Sequence, residues 1–445
     1  MTRAAEMVSP AVPVRRALPV YLAAATLARG ADAGAAVGVV LLATLPAVGA
    51  ARPALLGGLL ATCLTAPHLL GPLLARWLDR APDGRGRLAA GFATYAAAVA
   101  AAGLLLGRVP VGVPAVLLIV AGTCGPLLTG GLSSRLAGLL DPDERVQRRG
   151  QGWDAVTYGV GGSAGPGAVA ALAVLAGPRM SLVGLGAATL LAAALVATLP
   201  ARAPGPREPA RVPGSGDPAR VPGPRKPARV PGSGSGEPAR VPGPRKPERS
   251  GPAARGAIRA LLGPGPLRRV TGVTTLAALT GGTVPVLAVM LAADLGREAV
   301  SGALLAAAYG CGNLAAALLV TALPLVGEPE RLALRWAALS SVGLALCAAV
   351  PGFPVAVVVF ALAGAATAPL FVATLAARSA YAPEAVRAQV FVSTAALRGA
   401  AGSLGIGLAG ALAPLGPRLL LVAGASVPFA AAVAATVSAR RRRDR

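Results

Sequence analysis

The sequence predicts an all-α membrane protein with twelve transmembrane helices arranged as two pseudo-symmetric six-helix bundles. Three observations predict it. Twelve apolar stretches recur along the 445-residue chain, each about 20 residues long, which at a rise of about 1.5 Å per residue is what one bilayer crossing needs. Only 13% of residues are charged, against about 25% in a soluble domain, too few to cover a soluble surface. Arginines cluster in alternate gaps between the stretches.

The spans are expected at 18–46, 53–77, 88–107, 112–138, 155–176, 180–199, 270–292, 300–324, 333–350, 354–377, 389–414 and 418–438. Their interiors are mostly Ala, Leu, Val and Gly, and they are too long for the alternating strands of a barrel, which last about ten residues. With the N-terminus in the cytoplasm, twenty arginines outside the central insert fall on the cytoplasmic side: Arg3, Arg15, Arg16, Arg76, Arg80, Arg85, Arg87, Arg135, Arg145, Arg148, Arg149, Arg331, Arg335, Arg378, Arg387, Arg440, Arg441, Arg442, Arg443 and Arg445. Five fall opposite: Arg52, Arg108, Arg179, Arg297 and Arg418. By the positive-inside rule this predicts an even span count with both termini cytoplasmic. The first span reads as an uncleaved signal anchor.

The expected organisation is a cytoplasmic N-terminus at 1–17, bundles at 18–199 and 257–438, a linker at 200–256 and a basic tail at 439–445. In the linker, Pro-Ala-Arg-Val-Pro-Gly recurs from Pro209, Pro218, Pro227 and Pro238, among twelve basic and four acidic residues. So much Pro and Gly cannot bury a core, and an extended, disordered cytoplasmic segment is expected. It reads as a tether touching anionic lipid, or as a repeat expanded in a tolerant loop.

The net charge of +24 does not point to nucleic acid. Fifteen of the 42 basic residues lie between Ala201 and Arg269, and aromatics are 3%, so bases have few stacking platforms. Cys63, Cys124, Cys311 and Cys347 lie in apolar runs without a Cys-x-x-Cys pair, and His68 is the only histidine, which argues against a metal site. A catalytic cluster of His, Asp or Glu at one membrane face is lacking, so no enzyme is expected. Arginine outnumbers lysine 40 to 2, which reads as codon bias and suggests a bacterial inner membrane.

The second span ends Gly71-Pro-Leu-Leu-Ala75-Arg76-Trp77-Leu78-Asp79-Arg80, followed by Arg85 and Arg87. An acid at a helix end beside a basic turn can lock one conformation and release it in another; the plain alternative is that the arginines only satisfy the positive-inside bias. The fifth span carries Gly161-Gly162-Ser163-Ala164-Gly165-Pro166-Gly167-Ala168, where small residues allow close helix approach and Pro166 bends the helix; ordinary tight packing would use the same residues.

These segments resemble motifs A and C of the major facilitator superfamily. Gly71, Asp79, Arg80, Arg85 and Arg87 follow motif A, with Ala75 in place of a glycine and a stretched spacing after Arg80. Gly161, Gly165 and Pro166 follow motif C of its proton-coupled drug antiporters, with Ala170 and Ala171 replacing trailing glycines. The segments 140–145 and 383–391 resemble the family's acidic-Arg loops, and the resemblance covers the chain outside 200–256. It implies a proton-driven exporter with no cofactor, a conformational gate at the motif A segment, and a first-helix acid as the coupling group.

Ionisable groups at bilayer depth are costly, by at least about 2.5–3.5 kcal/mol on insertion scales. Arg29 and Asp32, three residues apart on one face of the first span, read either as a coupling acid gated by Arg29 or as a permanent ion pair. A carboxylic acid removed from water can load and release a proton near neutral pH. His68 reads as a relay or substrate contact, or as a neutral histidine bonded to a backbone carbonyl. Arg398 can meet an anionic substrate, but snorkelling or a helix contact is the reading preferred. Tyr158, Asn313 and Asp154 are weaker cavity candidates, and Trp77 and Trp153 read as interfacial anchors.

The expected function is transport of a small lipophilic molecule through a largely aliphatic midplane cavity by alternating access, in the cell membrane. Export is the first reading and uptake of a small metabolite the second. The expected partners are membrane lipids and the substrate, with no nucleic acid and no required protein partner.

Overall fold

The computed structural model describes residues 14–79, 83–141, 143–200, 259–323, 325–383 and 386–441. Positions 1–13, Arg80, nearly all of the 200–256 linker and Arg442, Arg443 and Arg445 lie outside them. Among the described residues eleven helices are long and apolar enough to cross a membrane, and a bent pair, taken as one span, makes a twelfth. In chain order they are α1 (Ala17–Ala43), α2 (Pro53–Leu70), α3 (Arg85–Leu105), α4 (Gly112–Leu136), α5 (Glu144–Ala176), α6 (Pro178–Thr198), α7 (Pro266–Gly282 and Val284–Asp294), α8 (Ser301–Ala322), α9 (Pro329–Ala349), α10 (Phe353–Tyr381), α11 (Gln389–Ala411) and α12 (Pro417–Arg441).

Prolines account for the irregularities. The two parts of α7 meet at 44°, where Pro285 cannot donate to the carbonyl of Gly281. Pro67 sits in a 3-10 segment, Ala66–Leu70, after which α2 continues as Gly71–Asp79. Pro126 precedes a π turn at Leu127–Gly131 in α4, which shifts the register of Ser133 and everything beyond it.

The pseudo-symmetry is built into repeated residues. Gly177-Pro178-Arg179 starts α6 and Gly416-Pro417-Arg418 starts α12. Both glycines have positive φ, 91° and 84°, with ψ of 155° and 152°, a region open essentially to glycine alone. Each following arginine caps the end of the matching helix in its half. Arg179 Nη1 donates to the carbonyls of Leu104 (3.1 Å) and Leu106 (2.8 Å) at the C-terminal end of α3. Arg418 Nη1 donates to those of Ala348 (2.9 Å) and Val350 (3.2 Å) at the C-terminal end of α9. A cation there meets the orphan carbonyls and the negative end of the helix dipole.

Helix packing repeats in the same way. In the first half α1 packs on α5 and α6, and α3 on α6; in the second, α7 packs on α11 and α12, and α9 on α12. The halves meet along two equivalent seams, α5 with α8 and α2 with α11. Both are lined by small residues, as helix association in lipid requires. A Cβ on Gly310 would lie 2.4 Å from the carbonyl oxygen of Gly162, and one on Gly58 would lie 2.9 Å from Gly410 Cα. Thr62 donates to the Ser403 carbonyl at 3.2 Å across the second seam.

The chain alternates sides, so the described chain ends mark one face and the α1–α2 connection the other. The seam contacts lie at mid-depth or toward the face away from the ends. One hydrophobic core joins residues of the first half to Val284–Ala292, Ala303, Ile406 and Ala409 on that side. Toward the chain ends the second half keeps separate small clusters, such as Leu267, Ala382 and Val390. The molecule is therefore sealed on the face away from its ends.

Candidate functional site

Two polar clusters form inside the first bundle and a cavity forms inside the second. Asp32 lies mid-way along the 27-residue α1, and the Pro67 break in α2 brings His68 beside it. His68 Nε2 is 3.6 Å from Asp32 Oδ1, and Tyr95 on α3 donates to the same oxygen at 3.4 Å. The Nε2 edge of the imidazole packs against α4 at Gly125, where a Cβ would collide with the ring. His68 Nε2 has no hydrogen-bond partner among the described residues; it faces the carboxylate, not a backbone carbonyl as the neutral alternative expected. Three helices thus meet at one carboxylate, which α1 carries and which side chains of α2 and α3 approach.

The expected Arg29–Asp32 pair does not form. Arg29, 3% exposed, turns instead to α4 and α5. Its Nη2 is 2.8 Å from Asp154 Oδ1 and donates to Ser133 Oγ at 2.7 Å. Its Nη1 donates to the Asp154 carbonyl at 2.8 Å and to the Thr157 hydroxyl, and its guanidinium lies 3.6 Å from the Tyr158 ring centroid. Tyr21 donates to Asp154 Oδ1 at 2.5 Å and Ser133 to Oδ2 at 3.0 Å. Three residues along a helix turn the side chain by about 300°, enough to give Arg29 and Asp32 different neighbours. Asp154 and Tyr158 therefore belong with Arg29, and Asp32 stands with His68.

The motif C-like residues form the floor between these clusters. A Cβ on Gly165 would lie 2.1 Å from the Gly30 carbonyl oxygen, and one on Gly161 would lie 2.9 Å from Arg29 Cβ. Gly30, Gly34, Gly161 and Gly165 thus bring α1 and α5 into backbone contact beside Pro166, which fixes where Arg29 meets Asp154.

At the motif A-like turn, Gly71 sits against Pro126 of α4; Arg80 and the Asp79 side chain lie outside what is described. The acid found in this network is Asp83. Its carboxylate takes Arg85 Nε at 2.6 Å and lies 3.5 Å from Arg135 Nη1. Partial burial pushes the Asp83 carboxyl up, and the bonds from Arg85 with the nearby Arg135 charge outweigh it, holding the acid below the usual carboxylate range. Arg85 and Arg135 also donate to the carbonyls of Leu199 (2.6 Å) and Pro200 (3.1 Å), tying the turn to the end of α6. Arg87 donates to the Trp77 carbonyl and stacks over its ring.

In the second bundle a cavity of about 350 Å³ is lined by Thr280, Tyr309, Ser341, Thr367 and Arg398 among small and aliphatic residues. Thr367 donates to Asn313 Oδ1 at 3.1 Å. Arg398 does not snorkel: it lines this cavity with its guanidinium 5.3 Å from the Phe371 ring.

Tyr21, Tyr95, Ser133 and Thr157 are site residues that the sequence reading passed over. Their signal was scarcity. The chain has five tyrosines, and Tyr21, Tyr95, Tyr158 and Tyr309 each border a polar cluster or the cavity.

Solved structures share this architecture from end to end. A POT family transporter in complex with a thioalcohol-conjugated peptide superposes with a TM-score of 0.68 at 11% identity, over 96% of each chain. The POT family transporter PepTSo gives 0.65 at 12%, covering 98% of this chain and 99% of that one. A bacterial homologue of the human lysosomal transporter Spinster, inward-facing and unoccupied, gives 0.61 at 15%, over 97% and 96%. The chain has the major facilitator fold. At these identities the likeness is one of fold, and no family model or curated protein matches the sequence. The two seams, α5 with α8 and α2 with α11, relate the halves of that fold by its internal symmetry.

Proposed function

We propose that the protein is a secondary transporter that works by alternating access and exports a small lipophilic molecule in exchange for protons. The observation that carries this reading is the Asp32–His68–Tyr95 cluster: a carboxylate at mid-depth, facing an imidazole, with no permanent cation holding it. Arg29, which would have held it, is committed to Asp154. Protonation of Asp32 changes the charge between α1 and α2, and α2 is one of the helices that seal the far face against the second bundle. With the chain ends in the cytoplasm of a bacterial inner membrane, the structure corresponds to a state closed to the outside. Leu344, Leu370 and Pro428 on the wall of the second-bundle cavity support a cargo with an apolar body, and no resident cofactor is required.

The test is proton movement in proteoliposomes driven by lipophilic cargo. Wild-type protein moves protons opposite to cargo, and Asp32→Asn lowers the cargo-dependent proton flux by about a hundredfold or more, the lower end of what loss of a proton-transfer group removes. Unchanged flux in the variant removes Asp32 from coupling, and protons moving with cargo make the protein an importer.

A further inference from the structure

The two bundles treat buried arginine in opposite ways. The first surrounds Arg29 with a carboxylate, two hydroxyls and a carbonyl. The second buries Arg378 on α10, 3% exposed, with Nε and Nη2 lacking any hydrogen-bond partner among the described residues. Arg398 on α11, the helix that packs beside α10, has a buried Nη1 in the same condition.

No carboxylate within the spans answers them. Between Pro266 and Arg441 the sequence has five acids: Asp294, Glu298, Glu328, Glu330 and Glu384. The four that lie among the described residues, Asp294, Glu298, Glu328 and Glu330, sit at helix ends or in connections. Asp294 is held by Arg418 at 2.8 Å, Glu328 by Arg331 at 3.0 Å and Glu330 by Arg269 at 2.5 Å. Glu298 is in the α7–α8 connection, and Glu384 lies outside the described residues. A buried charge without a partner is strongly unfavourable, and here two stand together, one of them on the wall of a 350 Å³ cavity. That wall also offers the hydroxyls of Thr280, Tyr309, Ser340, Ser341 and Thr367, with Leu344, Leu370 and Pro428 as apolar surface.

We propose that this second-bundle cavity binds an organic anion: a small molecule with an aliphatic or aromatic body and one carboxylate-like group, whose charge is met by Arg398 with Arg378 behind it. Arg398 is then the specificity-determining residue, since a guanidinium receives a carboxylate through two parallel donors, and the Phe371 ring on its face holds it in the cavity. The inference rests on the transporter reading only in calling this ligand the cargo; binding itself needs no gradient.

The test uses the purified full-length protein in uncharged detergent, with thermal unfolding as readout. 4-Phenylbutyrate is titrated against its neutral counterpart 4-phenylbutyramide. The carboxylate raises the unfolding midpoint saturably and the amide does not. Arg398→Gln weakens the apparent Kd for the carboxylate at least about tenfold, as removal of one side of a buried charge pair does, while Arg398→Lys retains part of it. Without ligand, Arg398→Gln and Arg378→Gln unfold no earlier than wild type, because each removes an uncompensated charge. Equal response to acid and amide, or an undiminished carboxylate response in both Gln variants, overturns the proposal. So does an early-unfolding Arg398→Gln and Arg378→Gln pair, which would make the arginines structural. A failed binding test with Asp32-dependent proton flux intact sinks this inference alone; anion binding without coupled flux sinks the transport mechanism and leaves the site.

Discussion

Oxidising a protein that carries Thr62→Cys and Gly407→Cys, in a background without its four native cysteines, abolishes transport, and reductant restores it. The two positions face each other across the α2–α11 seam. A Cβ built on Gly407 lies 4.0 Å from Thr62 Cβ, inside the span of about 3.5–4.5 Å that a disulfide bridges. The seam is on the face away from the chain ends, so the cross-link fixes the closed arrangement seen here. A carrier that must open this seam once per cycle stops; a protein in which the seam is permanent scaffolding is indifferent. The single-cysteine variants, oxidised in parallel, keep their transport. Full transport by cross-linked protein would show that this seam does not part.

Arg29→Ala is expected to be among the most destabilising single substitutions in the chain. It strips Asp154 of its ion pair while Tyr21 and Ser133 still hold the carboxylate in place. Breaking a buried pair by removing one partner costs about 3–5 kcal/mol. The Asp154 side chain is 14% exposed, and some water access places the expected loss toward the lower end of that range. Arg29→Gln with Asp154→Asn removes both charges, keeps neutral hydrogen bonding and recovers most of the loss. Unfolding midpoints of the two variants in one detergent, beside wild type, check this. An Arg29→Ala protein as stable as wild type would mean that the cluster does not hold α1 to α5.

These expectations show what the sequence carries and what it does not. Span positions are legible because bilayer thickness sets a length and charges collect in the gaps; 88–107 was expected where Arg85–Leu105 forms, and 180–199 where Pro178–Thr198 forms. Breaks at Pro67, Pro126 and Pro285 are local in cause, since a missing donor acts within one turn, yet the only bend expected was at Pro166, which lies inside the continuous helix Glu144–Ala176. Partner choice is not local. Asp32 and Arg29 were read together because helix spacing reports which residues share a face of one helix. Which neighbouring helix covers each part of that face depends on contacts with other helices, Asp154 at 125 residues away for one and His68 and Tyr95 for the other. The identity of Gly161 and Gly165 as the place where α1 touches α5 likewise needed the partner glycines Gly30 and Gly34, which look unremarkable in an Ala- and Gly-rich span. Arg398 was legible as an ionisable group inside a span, but Arg378 was hidden for the opposite reason: a basic residue near a span end satisfies the positive-inside pattern, and only packing reveals that it is buried.

The claim on which the rest depends is that the halves of this fold exchange between a state sealed away from the chain ends and one open there. Spin labels at Arg52 and Leu415, both exposed on that face and on opposite sides of the α2–α11 seam, read it directly by pulsed distance measurement in lipid. The account predicts two distance populations whose ratio changes between mildly acidic and mildly alkaline buffer, and a ratio that stops responding in Asp32→Asn. A single distance that stays the same at every pH and in the variant would contradict it.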